Sequence, residues 1–442
     1  MGSISHQYAT VSSSIEVPCE ALSKDAIIAI KSELTLSNPD YNKLVRLGKK
    51  GWGVPKTLKF YDVDDDYLYI PRGCAWLLQK FAPLLRYADK RSACKPEFSG
   101  FEIPLRDYQK KAIDTFCACR QGFIVVPCGG GKTRIALGCI ARLGLKALVL
   151  VHTKDLQTQW EKNAAELNIP LEVRLIQSCS EGSLPAHDFL ILDEAHHVAA
   201  STFREVVALS DARYRLGLTA TPEREDGLTK VLSLYFGNKI FEITHKELVD
   251  GGFLVVPKIR RIWTNIDTNF DYSCNVLDDY PKMVSLLCAD EERNALIVRT
   301  VVQAVSDGSV GLVLANRIDQ CHALADAISA QGVPAFALTS EENKIERARR
   351  LEAAGRGEIR ILCATTLADE GLDLPILSKV FLAYPSRAVS RTTQRLGRIM
   401  RPYPGKGRPV LYDFVDPVGP FVAQARKRMS LYRKILGADC NI

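Results

Sequence analysis

The chain has 442 residues, 47% hydrophobic and 25% charged, the make-up of a globular protein long enough for about three domains. No apolar run approaches the roughly 18 residues that span a bilayer, and residues 1–28 lack the basic start and apolar stretch of an export signal. The composition therefore argues against membrane and secreted proteins, and the expected compartment is the cytoplasm, or the nucleus in a eukaryotic cell. Net charge is only +7, so any nucleic-acid footprint has to be local. The thirteen cysteines are odd in number and form no C-x-x-C pair, which leaves reduced thiols as the expectation.

Residues 1–100 carry no nucleotide motif and read as a small α+β accessory domain, a candidate for DNA recognition. Within it, residues 42–61 place Lys43, Arg46, Lys49, Lys50, Lys56 and Lys59 among Trp52, Phe60 and Tyr61. Such interleaving suits phosphate contact with base stacking, and it equally suits a solvated hairpin whose aromatics face the core. The acidic run from Asp62 to Asp66 reads as a turn into an edge strand whose ladder Pro71 ends.

From Leu105 onward, helical and strand patterns alternate, as in a parallel α/β sheet. Residues 105–109 open a helix. A glutamine there, Gln109, can pair two hydrogen bonds with an adenine edge, which favours ATP, or can be plain surface. Gly122 to Val126 reads as a buried strand and Thr133 onward as a helix. Pro127-Cys128-Gly129-Gly130-Gly131-Lys132-Thr133 is then a strand-to-helix turn of the kind that cradles phosphate. Glycines let consecutive N–H groups point inward, Lys132 supplies a full charge for the outer phosphates, and the Thr133 hydroxyl suits Mg²⁺. The strict G-x-x-x-x-G-K-[ST] spacing is not met, because Val126 stands where its first glycine belongs.

Lys146 to His152 forms a second apolar strand, followed by Thr153 and a helix. Asp188 to Leu192 forms a third and delivers Asp193-Glu194-Ala195-His196 at its end. Two carboxylates at the tip of a buried strand must bind a cation or bear a heavy desolvation penalty. Asp193 would support Mg²⁺ through water, and Glu194 would orient and deprotonate an attacking water. His196 and His197 as metal ligands would need partners that the sequence does not place nearby. A strand from Arg213 to Leu218 then gives Thr219-Ala220-Thr221-Pro222.

The Asp-Glu-Ala-His tetrad together with the phosphate loop resembles the DEAH-box type of superfamily 2 helicases, which commonly carry the shorter Pro-x-Gly-Gly-Gly-Lys-Thr loop. The resemblance covers about residues 104–402. It implies that Arg106, Gln109, Pro127, Gly129, Gly130, Gly131, Lys132 and Thr133 bind nucleotide. It also implies that His196 links the γ-phosphate to the Thr219–Thr221 turn, and that Thr153, Thr219, Thr221 and Arg224 touch nucleic acid. Arg224-Glu225-Asp226 resembles the XPB branch, a DNA-repair and transcription group, although a charged triplet in a turn could equally be solvated surface.

The domain expected over residues 101–245 is followed by a less periodic stretch, 246–290, which reads as a linker or inserted element where XPB-like proteins place a thumb-like projection. Residues 291–442 resume the alternation as a second α/β domain without a phosphate loop of its own. Thr365, Thr366, Gly371 and Asp373 resemble the family's fifth motif, hydroxyls toward the nucleic-acid backbone and Asp373 near the ribose. Gln394, Gly397, Arg398 and Arg401 match the sixth, Gln-x-x-Gly-Arg-x-x-Arg. Its two arginines, three apart, share a helix face and would stabilise transition-state charge on the γ-phosphate. A basic tail beyond Arg401, including Arg426, Lys427, Arg428, Arg433 and Lys434, would extend the polynucleotide path or be solvated.

The fold class expected is α/β, two RecA-like domains with mostly parallel sheets plus the N-terminal α+β domain. The function implied is an ATP- and Mg²⁺-dependent DNA helicase or translocase with 3′-to-5′ polarity, DNA being preferred over RNA. A monomer working with a nuclease or repair partner completes the expectation. A duplex translocase of restriction or defence type, an RNA helicase and an ATP-gated clamp remain the alternatives.

Overall fold

The computed structural model describes residues 8–92, 94–99, 101–179, 182–222, 226–266, 276–365, 374–385, 396–397 and 399–436. The chain divides into two compact units, residues 1–126 with 131–243 and residues 127–130 with 244–442. No described helix is long and apolar enough to cross a membrane.

The N-terminal strands are β1 (Tyr8–Val11), β2 (Ser14–Pro18), β3 (Thr35–Ser37), β4 (Thr57–Lys59), β5 (Asp62–Val63), β6 (Tyr67–Pro71) and β7 (Arg86–Asp89). Five of them form a mixed sheet ordered β5-β6-β2-β1-β7, while β3 and β4 pair as a separate ribbon. Alternate residues point inward, Ile15 and Val17 on β2 and Leu68 and Ile70 on β6, as a sheet with one covered face requires. Strand β6 ends at Pro71 as expected, but it is not an edge strand: β5, formed by Asp62 and Val63 of the acidic run, pairs along its outer side and β2 along the other.

This small sheet does not have a core to itself. Its apolar cluster runs on through Cys74, Leu77 and Leu78 into Leu234, Phe236 and Phe123 of the next layer. Arg72, buried, donates from Nη1 to Ala212 O (2.6 Å) and from Nη2 to Gln121 Oε1 (2.9 Å). Gly73 lies so close to the helix Thr229–Phe236 that a Cβ would fall 2.1 Å from Ser233 O. Lys230 pairs with Glu33 at 2.6 Å. The N-terminal region is therefore packed onto its neighbour as one body.

That neighbour is a six-stranded sheet of β8 (Gln121–Val125), β9 (Ala147–Val151), β10 (Glu172–Leu175), β11 (Phe189–Leu192), β12 (Tyr214–Thr219) and β13 (Lys239–Glu242). Its order is β10-β9-β11-β12-β8-β13, and every neighbouring pair is parallel. β9 and β11 are buried along their whole length, which explains why they read as unbroken apolar runs. Because β12 lies between β11 and β8, the ends of all three converge at one edge. In parallel α/β sheets, ligands bind outside this carboxyl edge.

The second unit contains β14 (Lys258–Trp263), β15 (Val310–Ala315), β16 (Ala335–Leu338), β17 (Ile361–Thr365), β18 (Leu377–Leu382) and β19 (Val410–Val415), ordered β14-β19-β18-β15-β17-β16 and again parallel throughout. Two parallel sheets with intervening helices are the architecture expected for paired RecA-like domains. Edge strand β14 comes from the aperiodic stretch after residue 246. The C-terminal helix Gly419–Leu436 is not a uniformly basic face. Arg428 turns inward and donates to both oxygens of Asp413, at 2.7 and 3.1 Å, whereas Arg426, Lys427, Arg433 and Lys434 face solvent.

Candidate nucleotide site

Beyond β8 and the buried Val126 the chain turns sharply. Gly129 and Gly131 have φ of +86° and +82°, the left-handed region where a side chain is strained. Gly130 N donates to Pro127 O at 3.0 Å and tightens the turn. Space is restricted as well, since a Cβ on Gly131 would lie 2.6 Å from Gln109 Nε2. Helix Lys132–Leu143 follows with Gly131 as its N-cap and no side-chain cap, the form in which a helix N-terminus binds anions. Gln109 itself is buried, and its Oε1 accepts from Arg106 N (2.9 Å) to close the start of helix Asp107–Cys119. Arg106 Nη1 donates to the Tyr108 hydroxyl at 3.1 Å.

Two strands away, β11 ends in Asp193, which is buried and accepts from Trp160 Nε1 (2.8 Å) and from the Glu194 amide (2.9 Å). Glu194 has φ +47°, a left-handed conformation that is strained for a non-glycine residue and often found at functional sites. Lys132 Nζ donates to Glu194 Oε1 at 3.1 Å. The other oxygen, Oε2, is buried without a hydrogen-bond partner among the described residues, His196 Nδ1 lying 3.5 Å away. That ring nitrogen is closer to Thr219 Oγ1, at 3.1 Å, and the Thr219 hydroxyl donates to Thr221 O, also at 3.1 Å. A continuous chain of polar contacts thus runs Lys132, Glu194, His196, Thr219, Thr221 along the sheet edge.

The two carboxylates are driven apart electrostatically. Burial, followed by the neighbouring Glu194 charge, raises the Asp193 pKa. Burial also pushes Glu194 up, but the Lys132 ammonium and His196 together outweigh it and hold Glu194 below its ordinary value. Glu194 is the ionised acid of the pair, while for Asp193 the pull of the Lys132 charge does not offset burial and the Glu194 charge.

These residues fit a nucleoside triphosphate with a divalent cation. There is a glycine cradle that a Cβ would fill, a lysine whose present partner is a carboxylate that phosphate can replace, and a bare carboxylate oxygen beside a buried acid. Thr133 lies half-exposed in the first turn of the same helix. The Thr153 hydroxyl caps helix Lys154–Glu166 by accepting from Leu156 N at 3.3 Å, so it has a structural task at that edge. The rings of His196 and His197 are tilted against each other with centroids 4.3 Å apart, and the His152 ring lies 4.7 Å from that of His197. In the second unit, Thr365 ends β17 half-buried, and Arg401 follows a helical turn closed by Met400 N to Leu396 O (3.1 Å). Arg224, Thr366, Gly371, Asp373, Gln394 and Arg398 lie outside the described residues.

The comparisons with known proteins agree with this chemistry. Residues 102–182 and 174–224 match the family described as "Type III restriction enzyme, res subunit", and residues 292–403 match the "Helicase conserved C-terminal domain". The chain is 26% identical over 356 residues to the DNA 3'-5' translocase XPB2 of Sulfurisphaera tokodaii, covering 68% of this chain and 79% of that protein. It is 26% identical over 345 residues to the DNA 3'-5' helicase XPB of Mycobacterium tuberculosis, covering 70% of this chain and 60% of that one. The chain is a superfamily 2 helicase with XPB-like homologues. Among solved structures, the helicase is similar in fold to a fragment of an HsdR subunit of a type I restriction enzyme from Vibrio vulnificus, with a TM-score of 0.59 at 20% identity over 77% of this chain and 68% of that one. A DNA-bound ATP-dependent Type ISP restriction-modification enzyme gives 0.54 at 16% identity, over 79% of the helicase and 32% of its own length.

Sequence reasoning missed Trp160 as a site residue. The signal was a buried indole midway along helix Lys154–Glu166, yet nothing in the spacing showed that its N–H reaches Asp193.

Proposed function

We propose that this ATP-dependent helicase moves along DNA with 3′-to-5′ polarity and separates its strands, hydrolysing ATP with Mg²⁺ at the edge of the first parallel sheet. The observation that carries the reading is the polar chain from Lys132 through Glu194 and His196 to Thr219. Bound nucleotide supplies the phosphoryl group, and its cation neutralises charge on the phosphates. Lys132 exchanges Glu194 for phosphate, which frees a carboxylate that is already ionised and has one bare oxygen to hold and deprotonate water. Asp193, steadied by Trp160, would support Mg²⁺ through water, and the Thr133 hydroxyl would hold it directly. Arg106 and Gln109 take the base, and Pro127 with Gly129, Gly130 and Gly131 shapes the cradle. His196 passes a change at Glu194 to Thr219 and Thr221.

On their sequence pattern we assign Arg398 and Arg401, with Gln394, to transition-state charge on the γ-phosphate, and Gly371 and Asp373 to the nucleotide. Thr153, Thr219, Thr221, Arg224, Thr365 and Thr366 are assigned to the nucleic-acid backbone, contacts that carry no sequence information. The domains proposed are an accessory domain over residues 1–100, an ATP-binding domain over 101–245, a linker or inserted element over 246–290 and a C-terminal helicase domain over 291–442. A cytoplasmic or nuclear monomer acting with a nuclease or repair protein completes the proposal.

ATPase measured with duplex, forked and single-stranded DNA and with RNA, followed by strand displacement on the best stimulator, tests it. Stimulation that rises with DNA length, together with displacement, is expected. Length-independent stimulation would mean a clamp. The restriction-family match of residues 102–224 favours a second reading, a duplex translocase that separates nothing, and duplex-stimulated ATPase without strand displacement would select it.

A further inference from the structure

One charged surface has no task in the proposed motor, and the inference drawn from it rests on that function. Between Tyr41 and Tyr61 the sequence has six basic residues and no acidic one, so this short stretch holds +6 of the chain's +7. Lys43, Arg46, Lys49, Lys50, Lys56 and Lys59 are all exposed, and among the described residues none is in an ion pair. They lie on helix Pro39–Arg46, on β4 and on the loop between them. At the loop's tip, Val54 N donates to Gly51 O (3.3 Å) across a tight turn with Gly53 at φ +80°. Trp52 sits in that turn between the two glycines and is 85% exposed.

The aromatics of this stretch divide. Phe60 is buried in the core and Tyr61 is half-buried beneath Lys31, but Trp52 has no such place. Positive charge alone would suit any polyanion. A bare indole amid it narrows the choice, because only unpaired bases offer a face on which to stack. We propose that the loop from Lys43 to Lys59 is a single-stranded DNA site in which Trp52 stacks on an unpaired base and the surrounding basic residues contact phosphates. Arg72, Gly73 and the Lys230–Glu33 pair fix this region to the ATP-binding sheet, so the strand held at Trp52 travels with that sheet rather than on a tether.

The test is an anisotropy titration of end-labelled oligothymidylate, a DNA duplex and oligouridylate with the full chain, without nucleotide, at several salt concentrations. Trp52→Ala should weaken oligothymidylate binding about 5- to 150-fold, the effect of one base stack. Trp52→Phe should recover most of the loss. Duplex affinity and the ATPase without nucleic acid should hardly change. Replacing Lys49 and Lys50 with alanine should flatten the plot of log affinity against log salt by about 0.7 for each phosphate that is no longer neutralised. Unchanged oligothymidylate binding by Trp52→Ala, or an equal loss on duplex, would overturn the stacking site. A greater loss on oligouridylate than on oligothymidylate would overturn its assignment to DNA. A failure of the motor reading is distinguishable, because it would appear as ATPase indifferent to DNA and would leave this nucleotide-free binding readout intact.

Discussion

The two parallel sheets share an architecture and treat their buried carboxylates in opposite ways. In the second unit, Asp416 accepts from Arg293 at 2.7 and 3.2 Å and from the Thr264 hydroxyl at 2.7 Å, and Asp413 accepts from Arg428 and the Tyr432 hydroxyl. In the first, the hydrogen bonds Asp193 accepts come from two neutral N–H donors, and Glu194 Oε2 has no hydrogen-bond partner among the described residues while its backbone sits at φ +47°. A carboxylate whose lone pairs are filled holds a fold together. One that is buried, strained and incompletely paired is poised for a ligand.

Mutations can break that comparison. The largest effect is expected from Lys132→Ala, which removes the cation paired with Glu194 and proposed to hold phosphate; ATP turnover should disappear while the urea unfolding midpoint stays near wild type. Measurable turnover would show that the lysine is structural, like Arg293. Next, Asp416→Asn should leave the per-molecule ATPase of folded protein intact but cost about 3–5 kcal/mol of stability, because Arg293 is left buried without its counter-charge. Loss of activity at unchanged stability would erase the distinction between the sheets.

Trp160→Phe keeps the ring and removes the N–H that orients Asp193, so the Mg²⁺ requirement of the ATPase should rise about 10- to 100-fold, the usual effect of removing a group that orients a metal ligand. A Trp160→Phe enzyme with wild-type Mg²⁺ dependence would make the contact incidental. The smallest effect belongs to Thr153. Thr153→Ala should lose about 1 kcal/mol of stability and Thr153→Ser much less, as for a helix cap. If both variants instead weaken DNA-stimulated ATPase equally, with stability unchanged, strand contact outweighs capping.

Much of this was legible from the sequence because buried parallel strands are nearly pure apolar runs. The apolar strand expected from Lys146 to His152 encloses β9, and Asp193 stands at the end of β11 as its position after four apolar residues required. The glycines of the phosphate loop announced a turn that no other residue makes easily. What stayed hidden depended on side-chain direction. Arg428 reads as one more basic residue, and only its place on the inward face of the C-terminal helix pairs it with Asp413. Strand β14 was obscured because an edge strand is only partly buried and its pattern, with Arg260, Arg261 and Trp263 outward or half-exposed, lacks an unbroken apolar run. Trp160 and Asp193 are 33 residues apart, beyond any local signal.

The central claim is that Glu194, kept ionised by Lys132, is the group that takes a proton from water. Single-turnover ATP hydrolysis by Glu194→Gln, with nucleotide binding measured in parallel, tests it most directly. The account predicts ATP bound at least as tightly as by wild type, since the Lys132 partner is weakened, with the chemical step slowed about 10²-fold or more. Hydrolysis at the wild-type rate, or loss of ATP binding in place of loss of chemistry, would contradict it.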